Sequence, residues 1–435
     1  MRRRAFIKSL ATGLAMAEVL PAVGRELATQ LKGLRADVAA AATPDAMWSR
    51  VRKEFMLEPG FIHLNCGSLG ATPRLILDAV YEYMKELELN PVANEWGPLG
   101  SRMEGVRSLA AEFLGAETDE MVLTRNTTEG INTIASGLQL ESGDEILTTD
   151  HEHAGGMIGW QYLARRYDAR IVQIEMPAPV KSADQILELI EDNITPRTRV
   201  CSFSHVETIT GLQMPLAAIS RITRPKDILL VCDGAQAPGM LDVDVKALGV
   251  DAYASSSHKW MLAPKGSGLL YIRREVQSRI DSAFLFSGYR GYSASSGTRN
   301  VPHLIGHGLA MDFHNALGRD RVEARCRQLC VYLRQRLSAF PTLRLLTPTQ
   351  PELSSGIVTF GLEAGSNGSI FSLLKGNGIR VKVVPGTYVV SGLIPWLKSR
   401  NHNALRFSTH VFNSEADIDR MVEVLAGELG PAKDG

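Results

Sequence analysis

Short apolar runs alternate with helix-like stretches through the first two thirds of the chain, and this alternation constrains the fold more than any other feature. β-Branched or apolar runs recur at 121–124, 145–148, 170–174, 199–203, 228–232, 252–255 and 269–272. Helical periodicity falls between many of them, at 129–137, 157–167, 183–193 and 216–223. Strands separated by helices pair in parallel through crossovers, so the pattern predicts a mostly parallel sheet with helices on both faces. The last third differs. A long helical stretch at 320–340 precedes strand-like runs at 343–346, 356–360, 380–384 and 404–408, and a helix at 415–429 closes the chain. This reads as a smaller C-terminal α+β domain. The expected division is an export leader and linker over 1–42, an N-terminal arm over 43–75, a large domain over 76–318 and a small domain over 319–435.

Charge and composition remove several function classes. Lys plus Arg and Asp plus Glu both number 47, so no basic field invites nucleic acid. No apolar run reaches the ~20 residues of a spanning helix, which leaves no expectation of a stable membrane anchor. The five cysteines (Cys66, Cys201, Cys232, Cys326 and Cys330) form no CxxC pair and read as free thiols.

Parallel sheets bind ligands beyond the carboxyl ends of their strands, and the polar residues of interest fall there. Asp233 ends an apolar strand and is followed by Gly234 and Ala235. A carboxylate so placed needs a cation, such as a metal ion or a protonated ring nitrogen, or else it caps a helix. Lys259 follows Ser255-Ser256-Ser257-His258 at another strand end. A lysine there would be partly desolvated and close to positive groups, which lowers its pKa and suits Schiff-base chemistry; a solvated loop lysine is the plain alternative. Thr127 and Thr128 open a helix after a strand, where hydroxyls and backbone N–H groups can hold an anion or simply cap. His153, in Asp150-His151-Glu152-His153, either stacks on a flat ligand or joins His151 in a metal site.

Taken in order, Thr-Thr-Glu-Gly-Ile-Asn from Thr127, Glu152-His153, Ser204-His205-Val206, Asp233-Gly234-Ala235-Gln236, Ser256-Ser257-His258-Lys259 and Gly297-Thr298 resemble the class V aminotransferase family of pyridoxal-phosphate enzymes. The resemblance covers residues from about 60 to 430. The stretch Phe61 to Pro73 is most similar to the isopenicillin N epimerase-like branch. It implies fold type I and pyridoxal 5'-phosphate as cofactor. The implied activity is on a small-molecule or peptide amino substrate through an external aldimine, first as an aminotransferase-like enzyme, with epimerase or C–S/C–N lyase as alternatives. By the same resemblance Lys259 would hold the cofactor, Asp233 would pair with its ring nitrogen, Gln236 would reach the ring hydroxyl and His153 would stack on the ring. Thr127, Thr128, Ser256 and His258 would bind the phosphate, and Thr298 would reach the phosphate of a partner subunit in a homodimer. Arg406 would take the substrate carboxylate, with Asn65 in the loop that approaches the substrate. Two departures stand out. Thr208 occupies a place where the family has Asn, and no cysteine lies between Val381 and Leu405, where desulfurases carry their nucleophile. A metal-dependent hydrolase built on His151 and His153, and an exported binding protein, remain as rival classes.

Arg3-Arg4-Ala5-Phe6-Ile7-Lys8, followed by the moderately apolar stretch from Leu10 to Val23, resembles a twin-arginine export signal. It implies the twin-arginine translocation machinery as a partner and a periplasmic location. The alternative is a basic helix on a cytoplasmic protein. The Ala-rich run from Val38 to Ala42 offers small residues for cleavage.

Overall fold

A computed structural model describes residues 22–282, 285, 296–384 and 400–430. The twin-arginine stretch and the Pro385–Tyr388 segment lie outside them. The large domain is built on seven strands: β2 (Met121–Thr124), β3 (Glu145–Thr149), β4 (Arg170–Ile174), β5 (Thr198–Ser204), β6 (Leu229–Asp233), β7 (Ala252–Ser256) and β8 (Gly268–Ile272). The short β1 (Ile62–His63) precedes them. Their order is β2-β8-β7-β6-β5-β3-β4, and β8 alone runs against its neighbours. The parallel sheet expected from the alternation is present, with observed ends within about three residues of those read from the sequence.

Alternation along each strand divides the interior in two. On β6, Leu230 and Cys232 enter one apolar cluster while Leu229 and Val231 enter another. Both faces of the sheet are therefore covered, as a parallel sheet requires. With every strand position claimed by packing, polar groups collect at the strand ends. Asp233 and Ser256 each close a strand, and register sets Ser204 beside Asp233 and Asp233 beside Ala254.

The small domain carries an antiparallel sheet, β12-β13-β10-β9, made of β9 (Leu343–Leu345), β10 (Ile357–Leu362), β12 (Lys382–Val384) and β13 (Ala404–Ser408). The helices Arg319–Ser338, Asn367–Gly376 and Glu415–Leu429 pack against it. The N-terminal arm joins this domain: β1 pairs in parallel with β11 (Ile379–Arg380), and Ile62 and Leu64 enter the small-domain core. One residue further, Asn65 bridges to Ser408. The loop from Asn65 to Gly70 is thereby held over the carboxyl edge of the large sheet, where the Gly70 N–H donates to the His258 carbonyl at 2.7 Å.

Residues 22–40, taken above as part of a leader and linker, form a helix, Ala22–Ala40, packed against the helices Val301–Leu317 and Arg74–Leu89. Leu31, Leu34 and Val38 lie three and four residues apart and face the main core, with Leu34 1% exposed. Ala22, Ala28, Ala36, Ala39 and Ala40 favour the helical conformation. Leu34→Ala is expected to lower unfolding stability by about 2–5 kcal/mol, read from urea denaturation.

Candidate active site

Every one of the converging strand ends feeds one cavity of about 280 Å³ between the two domains. Thr127 and Thr128 line it from the first turn of the helix Thr127–Gly137, whose N-cap Asn126 accepts from the Glu129 N–H at 2.9 Å. Ser256, at the end of β7, accepts from the Thr127 N–H at 2.9 Å and shares a 2.8 Å hydrogen bond with the Thr127 hydroxyl. Hydroxyls and free N–H groups at a helix start form a site for an oxyanion.

His153 caps the next helix, Ala154–Tyr167, with its Nδ1 accepting from Gly155 N–H at 3.1 Å. Burial, helped by Lys259, Lys382 and Arg406, pushes its pKa down to about 3, so the ring is neutral. The helix begins with two glycines for a steric reason. A Cβ on Gly155 would stand 2.5 Å from the Thr128 hydroxyl, and one on Gly156 would stand 2.8 Å from Asp233 Oδ2. Their absent side chains keep the space beside Thr128, His153 and Asp233 clear.

Asp233 is buried and accepts from the Ala235 N–H at 2.9 Å. Burial raises its pKa and the nearby Lys259 lowers it. Lys259 lies in the turn after β7. Burial is the chief cause that brings its pKa down to about 8, with Arg406 pushing the same way and Asp233 opposing. His258, beside it, is neutral, its pKa lowered to about 4 mainly by burial.

Arg406 reaches the site from β13. It is fully buried, and its guanidinium donates to the Thr208 hydroxyl (2.7 Å) and carbonyl (3.1 Å), to Asn65 Oδ1 (3.2 Å) and to the Ser68 hydroxyl (3.1 Å). Thr208, a departure in the sequence pattern, thus orients the arginine. Gln236 also lines the cavity, but both ends of its amide are engaged: Nε2 donates to the Gly67 carbonyl at 2.9 Å, and Oε1 accepts from the Trp260 indole at 2.7 Å. One amide N–H is left for a ligand. Thr298 does not join the set. It is exposed and outside the lining of its own chain's cavity.

The Asp150–His153 run does not converge on an ion. His151 Nδ1 is 2.7 Å from Glu207, Asp150 pairs with Arg400, and Glu152 accepts from the Ser204 hydroxyl at 2.6 Å. Only His153 of the four lines the cavity. Among the described residues no three such side chains are grouped for a metal, so the hydrolase alternative lacks its site.

Sequence reasoning missed Lys382, and it read Glu152 only as part of a motif. Lys382 lines the cavity from β12, and burial, then Arg406 and Lys259, lower its pKa to about 6. Glu152 lies behind the cavity with its pKa raised to about 8, chiefly by burial and further by Asp233. A charged residue inside a strand-like run was the available signal for Lys382.

The fold and this cavity define a class, and comparison agrees: the aminotransferase class-V profile matches residues 70–421, and the chain belongs to that family. Isopenicillin N epimerase of Amycolatopsis lactamdurans is 32% identical over 402 residues, spanning 87% of this chain and 98% of that protein. A probable cysteine desulfurase of Methanothermobacter thermautotrophicus is 27% identical over 399 residues, 86% of this chain and 96% of its own. The apo structure of a cysteine desulfurase from Thermococcus onnurineus NA1 matches with a TM-score of 0.75 at 24% identity, covering 88% of this chain and 98% of that one. The architecture is fold type I of the pyridoxal-phosphate enzymes.

The residues present fit that cofactor: hydroxyls at a helix start, a neutral imidazole beside two glycines that leave space, a buried carboxylate and a lysine of low pKa. A test follows from Lys259. An amine with a pKa near 8 is half unprotonated at that pH, so the rate at which apo-protein condenses with pyridoxal phosphate should rise with pH and level off above 8. Asp233→Asn removes the charge that favours the ammonium, and the midpoint in a stopped-flow pH series should move lower.

Proposed function

We propose that the protein is a pyridoxal-phosphate enzyme that acts at the α-carbon of an amino-acid-type substrate, and that epimerisation is its reaction. The observation that carries this reading is the presence, in one cavity, of an amine with its pKa near 8 and a buried carboxylate that a protonated ring nitrogen would neutralise. When bound, the cofactor supplies a carbonyl carbon for the amino group and a ring that delocalises the electron pair left on the substrate. Asp233 holds the ring nitrogen in its protonated form. Thr127, Thr128, Ser256 and His258 would hold its phosphate, His153 would lie against its ring, and Arg406 would take the substrate carboxylate. Lys259 is first the cofactor's anchor and then the base that moves the α-proton.

Two observations favour epimerisation. The named relatives that match nearly end to end include isopenicillin N epimerases. All five cysteines are buried and none lines the cavity, so the thiol that a persulfide-forming route would need is missing. The amino transfer first expected from the sequence has no such support beyond the family's name. The purified protein should be yellow, and Lys259→Ala or borohydride should abolish the band. In deuterated water the wild type should exchange the α-proton of its substrate and scramble its configuration. Release of a keto acid with transfer of the amino group would refute epimerisation and indicate a transferase.

We extend the reading to a homodimer and to export. Leu77, Tyr81 and Met84 lie exposed at helical spacing on Arg74–Leu89, and Val92 and Trp96 are exposed just beyond. A second copy would cover this apolar stripe, and Thr298, outside its own cavity, would be free to reach the partner's. Light scattering should give twice the chain mass, and Tyr81→Asp should reduce it to that of one chain. Export rests on the twin-arginine stretch; Arg3→Lys with Arg4→Lys should hold the protein in the cytoplasmic fraction. No helix among the described residues is long and apolar enough to cross a membrane.

A further inference from the structure

β12 and β13 pair antiparallel, with Lys382 opposite Arg406, Val383 opposite Leu405 and Val384 opposite Ala404. Val383 and Leu405 face the small-domain core. Alternation along a strand therefore turns Lys382 and Arg406 to the other face, and Lys382 lines the cavity. Two like charges directly opposite on neighbouring strands destabilise a sheet. The charged groups that bear most on Lys382, Arg406 and Lys259, are both cations. The segment that follows, 385–399, contains no Asp or Glu. Beside these two cations the buried Lys382 amine favours its neutral form, and an anion arriving in the cavity would restore its charge.

The functional reading above accounts for every other charge. Asp233 neutralises the ring nitrogen, the hydroxyls and helix start hold the phosphate, Lys259 holds the cofactor and Arg406 takes the α-carboxylate. Lys382 remains. We propose that Lys382 receives a second carboxylate carried by the substrate, so that the site selects amino compounds with an acidic group beyond the reacting carbon. This assignment rests on that functional reading. Opposed residues in an antiparallel pair stand about 5 Å apart at Cα, so both carboxylates can belong to one small molecule or to one acidic residue of a peptide.

A change of protonation accompanies the binding. In the cavity without an anion, burial, Arg406 and Lys259 hold the Lys382 amine near pKa 6, so it is neutral at pH 7.5. The other groups that face it are the neutral His153 and the Asp233 carboxylate beyond Lys259. A carboxylate arriving at Lys382 favours the ammonium and raises its pKa. Binding at pH 7.5 therefore takes up a proton, and it strengthens as pH falls towards 6.

The test uses holoenzyme titrated with L-glutamate and L-2-aminoadipate against L-glutamine and L-norleucine, followed by the cofactor's absorbance. The dicarboxylates should bind at least tenfold more tightly, with proton uptake detected by calorimetry in buffers of different ionisation heat. Lys382→Met should bring the preference to within about threefold of unity, and Lys382→Arg should keep it. Lys382→Gln serves in place of the methionine variant if the latter loses its cofactor band. Equal binding of acid and amide, or a preference that survives Lys382→Met, overturns the assignment. So does a Lys382→Arg variant that binds dicarboxylates normally but no longer exchanges the α-proton, since Lys382 would then be moving protons. A protein that takes up no pyridoxal phosphate ends the functional reading itself; a yellow protein that treats glutamate and glutamine alike ends only the role of Lys382.

Discussion

The buried guanidinium of Arg406 holds the site together. It belongs to the small-domain sheet, yet its hydrogen bonds run to Thr208 of the large domain and to Asn65 and Ser68 of the N-terminal arm. A buried cation is costly unless its donors are satisfied. The oxygens that satisfy these therefore fix three separate parts of the chain against one another. Asn65 is already bound to Ser408 by the arm's strand pairing, and Ser408 lies two residues from Arg406. The loop, the arginine and the cavity wall are thus set by one local geometry. A shift in the arm would move the arginine and the loop together.

The electrostatic arrangement around that point is lopsided. Lys259 and Lys382 line the cavity, Arg406 lies behind its wall, and each lowers the pKa of His153. Asp233 is the acidic group that opposes them. Glu152 lies close behind it, but burial and the Asp233 charge raise its pKa to about 8. Burial and the neighbouring Asp233 therefore favour its protonated form, while Asp233 is the carboxylate that lines the cavity. Adjacent carboxylates titrate apart in this way because both cannot ionise cheaply in a buried setting. The charge available to a ring nitrogen is then one carboxylate at one strand end.

Much of this was legible in the sequence, because a parallel sheet covered on both faces has nowhere but the strand ends to put polar chemistry. Thr127, His153, Asp233, Ser256 and Lys259 all stand out on that ground. What was not legible depended on pairing across distance. Lys382 carries no motif, and its meaning comes from a cross-strand neighbour 24 positions on (406 − 382). Gln236 matches a family position, but its link to Trp260 and the Gly67 carbonyl appears only once the arm is docked. The helix from Ala154 was read as starting later because two glycines weaken its helical signal, and those glycines are there to keep Thr128 and Asp233 clear. The helix Ala22–Ala40 was taken for leader and linker because its alanines hid the spacing of Leu31, Leu34 and Val38.

The two walls of the cavity answer to different demands. The groups that fit a cofactor come from the large sheet, where β5–β6 register sets Ser204 beside Asp233 and β7–β8 register sets Ser256 beside Gly268. The groups suited to a substrate come from β12 and β13, an antiparallel pair with its own core. A residue on β12 can change without altering the packing beneath Asp233 or Lys259. Cysteine is absent from the chain between Val381 and Leu405, and a lysine begins β12 at the cavity. The lysine stands on the wall that the small domain contributes. Residues on β12 and β13 can therefore be exchanged with little disturbance beneath Asp233 and Lys259, because those strands pack in a core of their own.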